Sequence, residues 1–467
     1  MIAPGLLLKR AVPFAIAIGI WFTPVPAGLT APPWHLFAVF VAAIVSVLLA
    51  AFPLLTSSML AVGAVVLTGT ITPAQAYAGF ANASVLLVVV AFIVAQAVVK
   101  SGLGRRISLF MVSHFGGSPL GLAYSIVLTD AAIAPAFPSN TARGGVLFPI
   151  VLSVAKGAGS NPEDPEGRRL GGCLMFCGMA SLAVSSALWM TATSCNPIGA
   201  QIAQKAGLEI GFGTWLLASS VPSLIAIAML PLLVVKLFPP RVGATPDAPA
   251  AARKDLAGMG PMSRDEWITA VTFALMVAGW VFGSALNLNG TSVAFLGFGV
   301  LLVAGVLTLD DISKQGDTLA TFLWLAVLFA LSGQLNELGF MGYVGERLAS
   351  QVGGLSWPAL YVTLIVLYVG IHYLFVSQTS QMLALFSVFL DVGMRGGVPV
   401  PLMAFGLLFA SSYFSVITPQ GGSQNIIFVT SGYLTQGELY KLGLLTTLAF
   451  LAVYLLIGSP WVYFVTG

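Results

Sequence analysis

Two polar triplets, Ser139-Asn140-Thr141 and Ser377-Gln378-Thr379, stand 238 residues apart in otherwise apolar sequence. Their hydroxyls and carboxamides can donate to an anion or accept from a cation. The settings match as well as the triplets. Gly116-Gly117 precedes the first serine by 22 to 23 residues, and Gly353-Gly354 precedes the second by 23 to 24. Further upstream, Lys100-Ser101-Gly102-Leu103 answers to Glu337-Leu338-Gly339-Phe340. Two halves that each bring a polar cluster into an apolar interior are the sequence sign of a secondary transporter with internal repeats and a binding site where the repeats meet.

A second pair of polar interruptions follows the first. Thr191-Ala192-Thr193-Ser194-Cys195-Asn196-Pro197 breaks an apolar stretch in one half, with Pro197 removing a helical donor. Thr418-Pro419-Gln420-Gly421-Gly422-Ser423-Gln424-Asn425 breaks its counterpart in the other. Glycines such as Gly421 and Gly422 permit unwound backbone, whose carbonyls can coordinate a small cation such as sodium. Thr193, Ser194, Asn196 and Thr418 belong to the same candidate loops, although no firm metal site is legible. Four loops, two from each repeat, could surround one site at mid-membrane.

Arg143 is the sharpest single residue, two positions past Thr141. An arginine at the bilayer centre costs about 2.5–3.5 kcal/mol even on insertion scales, so it must face a site or a partner. Two compatible readings stay open: a fixed cation that sets the charge balance of the site, or an ion pair with Asp130 on the opposite arm of the same hairpin. Asp130 alone could carry a proton, though a structural partner is the plainer reading. His372, five residues before Ser377, could titrate, but a packed histidine is the plainer expectation for it. The three cysteines, Cys173, Cys177 and Cys195, form neither a disulfide framework nor a metal spacing with any histidine.

The elements that must position these residues are membrane helices. The chain is 58% hydrophobic and 7% charged, against roughly 25% charged in soluble domains. Apolar runs of about 18 or more residues recur along it, each able to cross a hydrocarbon core of about 30 Å. This is the pattern of an all-α polytopic membrane protein, and the weak ten-residue alternation of a membrane β-barrel is absent. Scattered Lys and Arg residues and a net charge of +3 give no nucleic-acid patch. A secretory leader could be imitated by Lys9, Arg10 and the apolar stretch after them, but a first membrane helix fits better.

Segments are expected near 11–28, 34–52, 57–71 and 83–101, then a basic amphipathic turn at Arg105-Arg106. The stretch 118–156, interrupted at Pro135, Pro138 and the first triplet, reads as a re-entrant helical hairpin, since broken helices survive in a bilayer only inside protein or beside a wet cavity. A broken span (170–206) and a further one (212–237) complete the first half. Residues 238–264 read as a polar linker. Spans at 265–287, 291–308 and 318–337, a second hairpin near 355–393, a broken span at 401–434 and a last helix at 440–465 follow. Lys9, Arg10, Lys100, Arg105, Arg106, Lys156, Arg168, Arg169 and the linker fall on one side, which the positive-inside rule makes the cytoplasm. The N-terminus is then cytoplasmic, the C-terminus outside and the two repeats inverted.

These residues resemble the divalent anion:sodium symporter family, and most closely its branch of plastid 2-oxoglutarate/malate and bacterial citrate or tartrate exchangers. The likeness runs from about Trp34 to the end. Its most specific passages are Ala134-Pro135-Ala136-Phe137-Pro138-Ser139-Asn140-Thr141-Ala142-Arg143-Gly144-Gly145, Tyr373-Leu374-Phe375-Val376-Ser377-Gln378-Thr379 and Ser431-Gly432-Tyr433-Leu434. The resemblance implies about 11 membrane helices plus two re-entrant hairpins and an elevator-type carrier. It divides the chain into a scaffold part (1–117 and 265–354), the linker (238–264) and a moving transport part (118–237 and 355–467), assembled as a homodimer in the bilayer. It also implies that Ser139, Asn140, Thr141, Ser377, Gln378 and Thr379 contact substrate. In the family's exchangers an arginine placed like Arg143 replaces one sodium, and a histidine beyond the second motif replaces the other. Here Gln381 stands at that second position, so one half looks like an exchanger and the other is undecided.

The expectation is therefore a cytoplasmic-membrane carrier of small di- or tricarboxylates (the succinate, malate, 2-oxoglutarate, citrate or tartrate class) without a cofactor. Carboxylate/carboxylate antiport comes first because Arg143 supplies permanent charge. Sodium-coupled symport is the alternative. An intramembrane enzyme is a remote alternative, because there is no His-Glu-x-x-His or Gly-x-Ser-x-Gly motif; an anion channel is the other, since Asn, Thr and unwound carbonyls line pores too.

Overall fold

The computed structural model describes residues 4–351, 354–375 and 377–467, and every regular element among them is helical. Gly353 and Val376, which belong to sequence patterns quoted above, lie outside the described residues. Among the described residues, seven helices are long and apolar enough to cross a membrane: Ala31–Leu48, Ala83–Ser101, Pro119–Ala136, Arg168–Leu188, Phe212–Leu237, Gly316–Glu337 and Gln436–Thr466. Shorter apolar helices, Leu54–Leu67, Gly290–Val303, Trp357–His372 and Val400–Tyr413, lie between them.

Element order repeats. Ala83–Ser101 is followed by the amphipathic helix Leu103–Phe115, and Gly316–Glu337 by Phe340–Gln351. Each joint turns on a glycine with positive φ, Gly102 at 82° alone in the first and Gly339 at 86° after Leu338 in the second. A left-handed residue ends one helix and redirects the chain into the next, and only glycine adopts it without a Cβ penalty. The first hairpin follows as Pro119–Ile133 and Asn140–Gly157, the second as Trp357–His372 and Gln378–Arg395. Each outgoing arm starts at a serine, Ser118 or Ser356, with a proline in its first turn. That is where a missing N–H costs nothing. Arg168–Leu188 and Val400–Tyr413 then lead into the two unwound loops.

By compactness the chain divides into two units. One comprises Met1–Val89, Ile198–Glu209 and Gln315–Leu407, and the other Val90–Pro197, Ile210–Lys314 and Leu408–Gly467. In the first, Leu36, Val65, Val85, Leu325, Val327 and Leu331 are wholly buried. In the second, Arg168–Leu188 is buried along its whole apolar length, packed by Pro119–Ile133, Asn140–Gly157 and Phe212–Leu237.

Two expectations need correction. The basic turn at Arg105-Arg106 is part of a 13-residue helix, Leu103–Phe115. The polar linker holds a 12-residue helix, Asp247–Gly258, whose Ala248 and Ala252 are buried and which packs on Leu103–Phe115. Alanine is the best helix former, and Pro249 falls in the first turn, where proline is tolerated. Arg106 ties the end of this segment down, with Nε 2.6 Å from Glu266 Oε1 and Nη1 donating to the Gly260 carbonyl at 2.9 Å.

Candidate functional site

Both triplets sit at the same backbone device. Ser139 is extended (φ −143°, ψ 124°) and its hydroxyl caps the returning arm by accepting from Ala142 N. Ser377 is also extended (φ −127°, ψ 121°), and its hydroxyl accepts from Ser380 N. Each serine therefore satisfies one of the free amides at a helix start and turns the remaining amides and its own O–H toward the tip. The positive end of the helix dipole there favours an anion. Ser139 and Ser377 are half-buried, Thr141 is exposed, and Asn140 and Thr379 are buried.

In the first hairpin Arg143 points inward and has no exposed surface. Its Nε lies 2.9 Å from Asp130 Oδ1, so the ion pair between the two arms forms. The far oxygen of Asp130 accepts from Ser185 Oγ at 2.6 Å. The guanidinium also faces four other oxygens: Asn140 Oδ1 at 3.0 Å, the Leu182 carbonyl at 2.8 Å, Ser186 Oγ at 2.9 Å and the Ala192 carbonyl at 3.4 Å. Asn140 Oδ1 also accepts from Ser186. Arg143 thus orients the asparagine of the triplet instead of facing solvent. The charge of Arg143 is compensated by Asp130 within the protein, so permanent charge on Arg143 is not by itself an argument for antiport.

The second hairpin builds the same brace without charge. Gln381, four residues past its capping serine like Arg143, is fully buried and donates from Nε2 to the Tyr368 carbonyl at 2.9 Å. Tyr368 precedes Ser377 by nine residues, as Asp130 precedes Ser139. The Gln381 Oε1 accepts from Nδ1 of His372, itself buried at 1% exposure. His372 is therefore a packed histidine whose Nδ1 carries a proton.

The two unwound loops are also copies. Asn196 Nδ2 donates to the Ser186 carbonyl at 2.7 Å and the Trp189 carbonyl at 3.0 Å. Asn425 Nδ2 donates to the Ser415 carbonyl at 2.7 Å and the Thr418 carbonyl at 3.0 Å. In each, the asparagine closes its loop by binding carbonyls ten and seven residues behind it. Both Oδ1 atoms are buried with no hydrogen-bond partner among the described residues, as is Thr418 Oγ1. Pro197 does not break its helix; it lies in the first turn of Cys195–Lys205. Thr193 is buried and Ser194 half-buried beside it, and Gly421 and Gly422 are buried in the second loop. A Cβ at Gly421 would meet the Ser415 carbonyl at 2.6 Å.

In the second compact unit the first tip meets both loops. Thr191 Oγ1 donates to the Pro135 carbonyl at 2.9 Å, Arg143 reaches Ala192, and the hydroxyls of Thr141 and Ser423 are hydrogen-bonded. Ser377, Gln378, Thr379 and Gln381 belong to the first unit. Ser185 and Ser186 are not singled out from sequence, and Ser423 and Gln424 are marked there only as members of the second polar interruption. A signal existed: Ser186 precedes Asn196 by ten residues, and Ser415 precedes Asn425 by ten. No group of three or more His, Cys, Asp or Glu side chains able to hold a metal occurs among the described residues.

Comparison with known proteins gives consistent matches. The pattern of the sodium:sulfate symporter transmembrane region matches residues 5–467. The chloroplastic dicarboxylate transporter 1 of Arabidopsis thaliana is 36% identical over 457 residues, 97% of this chain and 82% of that protein. The citrate/succinate antiporter of Escherichia coli is 31% identical over 468 residues, 95% of this chain and 96% of that protein. Among solved structures, Neisseria gonorrhoeae MtrF superposes with a TM-score of 0.59 at 16% identity, covering 98% of this chain and 94% of that one, a likeness of fold.

Proposed function

This chain belongs to the sodium:sulfate symporter family, and from that membership we propose that it carries small di- and tricarboxylates by exchange. It is a multi-pass membrane transporter and not an enzyme. The names of its relatives, a dicarboxylate transporter and a citrate/succinate antiporter, support the carboxylate class. Paired helix starts with capped serines, Asn140, Thr141, Gln378 and Thr379 supply the donors that such anions need.

The observation that carries exchange over sodium coupling is the oxygen cage around Arg143. Asn140 Oδ1, Ser186 Oγ and the carbonyls of Leu182 and Ala192 are the hard oxygen ligands a small cation would take. A guanidinium already serves them. The guanidinium is covalently part of the chain and holds these oxygens whether or not substrate is bound, so they are not open to a travelling ion. The oxygens around Arg143 therefore do not fit a bound sodium. In the second half, Asn425 Oδ1 and Thr418 Oγ1 are buried acceptors that fit one, which favours a single sodium site as the second reading.

Movement by an elevator of 118–237 with 355–467, dimerisation through the remainder, and a cytoplasmic N-terminus in the inner membrane complete the proposal. Trans-stimulation tests it. Purified protein in vesicles preloaded with unlabelled succinate should take up labelled succinate, 2-oxoglutarate or citrate, and buffer-loaded vesicles should not. Equal uptake into both would reject exchange and point to a channel or uniporter.

A further inference from the structure

Gln424 breaks the correspondence between the two unwound loops. Asn196 and Asn425 hold matching places by matching bonds, so the residue before each is also equivalent. In the first loop it is Cys195, small and only 1% exposed. In the second it is Gln424, equally buried at 1% but carrying a full carboxamide. Neither Oε1 nor Nε2 of that carboxamide has a hydrogen-bond partner among the described residues. Both ends of a buried amide have given up water for nothing within the protein, which is costly and uncommon.

The surroundings are shaped to keep the carboxamide where it is. A Cβ at Gly422 would come within 2.4 Å of Gln424 Nε2 and 2.8 Å of its Oε1. Gly144, the residue after Arg143, would place a Cβ 3.3 Å from the Gln424 Cβ. The side chain is thus folded over bare glycine backbone, between the second loop and the returning arm of the first hairpin. Its neighbour Ser423 is exposed and bonded to Thr141 of the triplet.

We propose that Gln424 is a specificity-determining residue whose carboxamide reads a hydroxyl group on the substrate. The inference rests on the carboxylate-carrier reading above. Nε2 can only donate and suits a carboxylate oxygen, whereas Oε1 can only accept and needs an O–H. An ionised, unsubstituted dicarboxylate offers acceptors alone and leaves Oε1 unpaired. A hydroxyl beside the carboxylate supplies the missing donor and pairs both ends at once. Hydroxy-dicarboxylates are therefore preferred, because a site built to bond a hydroxyl disfavours the analogue that lacks it.

Malate and succinate differ by that hydroxyl and are the probes. Uptake of each into vesicles preloaded with unlabelled malate is measured over a concentration range for the wild type, Gln424→Leu and Gln424→Cys. The cysteine variant copies the first loop and keeps the test alive if leucine does not fold. The wild type is expected to favour malate about tenfold in kcat/KM, the size of one net hydrogen bond. Both variants are expected to bring that ratio near one, with malate falling more than succinate. A wild type that does not discriminate, or a ratio unchanged in the variants, overturns the proposal while leaving carboxylate transport in place. Equal loss for both substrates indicates a packing role and also overturns it. A wild type that carries neither, though its vesicles hold folded protein, overturns the carrier reading itself.

Discussion

In the first hairpin the side chain four residues past the capping serine is Arg143, bound to Asp130 across the hairpin. In the second it is Gln381, bound to the Tyr368 carbonyl and to His372. The partner backbone positions correspond, nine residues before each serine. The second hairpin shows that its arms can be braced at this point by a neutral amide. A buried ion pair carries a desolvation penalty that its attraction need not repay. Bracing alone therefore does not account for the charge in the first hairpin. What distinguishes that hairpin is the group of oxygens from Asn140, Leu182, Ser186 and Ala192 gathered on the guanidinium. The same fold of hairpin thus carries a permanent cation in one repeat and none in the other.

The sharpest way to break this comparison is to make the first hairpin like the second. Arg143→Gln leaves Asp130 buried and unpaired, and is expected to cost about 3–5 kcal/mol and to abolish exchange. Thermal unfolding in detergent and uptake in vesicles read the two effects. Adding Asp130→Asn is expected to restore much of the stability without restoring sodium-independent exchange. Recovery of full exchange by the double variant would mean that the charge pair was only a brace.

The loops give the next test. Asn196→Ala and Asn425→Ala each remove two bonds to carbonyls, with an expected loss of about 1–3 kcal/mol apiece. Thermal unfolding should show similar losses if the loops are the copies their bonds make them. A smaller effect is expected at Gln381→Leu, which removes the amide's bonds to the Tyr368 carbonyl and to His372, about 1–2 kcal/mol by the same measurement.

The smallest effects belong to the span ends. Lys100 and Glu337 occupy corresponding places with opposite charge and are paired to Asp311 at 2.6 Å and Lys205 at 2.7 Å. Lys100, with help from Thr308, lowers the Asp311 pKa from its ordinary 3.8 to about 2. A depressed carboxylate contributes stability above its ordinary value, and the contribution is lost as pH falls through the folded value. The difference in unfolding temperature between the wild type and Asp311→Asn should therefore be small, constant well above pH 4, and decline as pH falls through about 2, vanishing below it.

Breaks in the helices were readable because polar, proline and glycine residues stand out in apolar sequence. Ser139, Asn140, Thr191 and Gly421 announced the tips and loops, and Arg143 announced that a site or a partner must face it. Ser185 and Ser186 were not readable that way, since a serine inside a buried helix is more often a packing residue. Their role appears only when Asp130 and Asn140 are brought onto them. Gln424 sat in a passage already marked as polar, and nothing in its local sequence separates it from its neighbours. The helix Asp247–Gly258 was hidden by prolines, which count as breakers until their place in the first turn is known. Gln381 looked like a lost charge, and only the structure shows that His372 comes to it from the other arm.

The central claim is that the cation of the first repeat is built in and does not travel with substrate. Its most direct test is uptake of labelled succinate into vesicles that contain no carboxylate, with an inward sodium gradient and with potassium in its place. The account expects no accumulation in either case, and robust uptake once unlabelled carboxylate is sealed inside. Sodium-driven accumulation in the empty vesicles would contradict it and make this carrier a symporter.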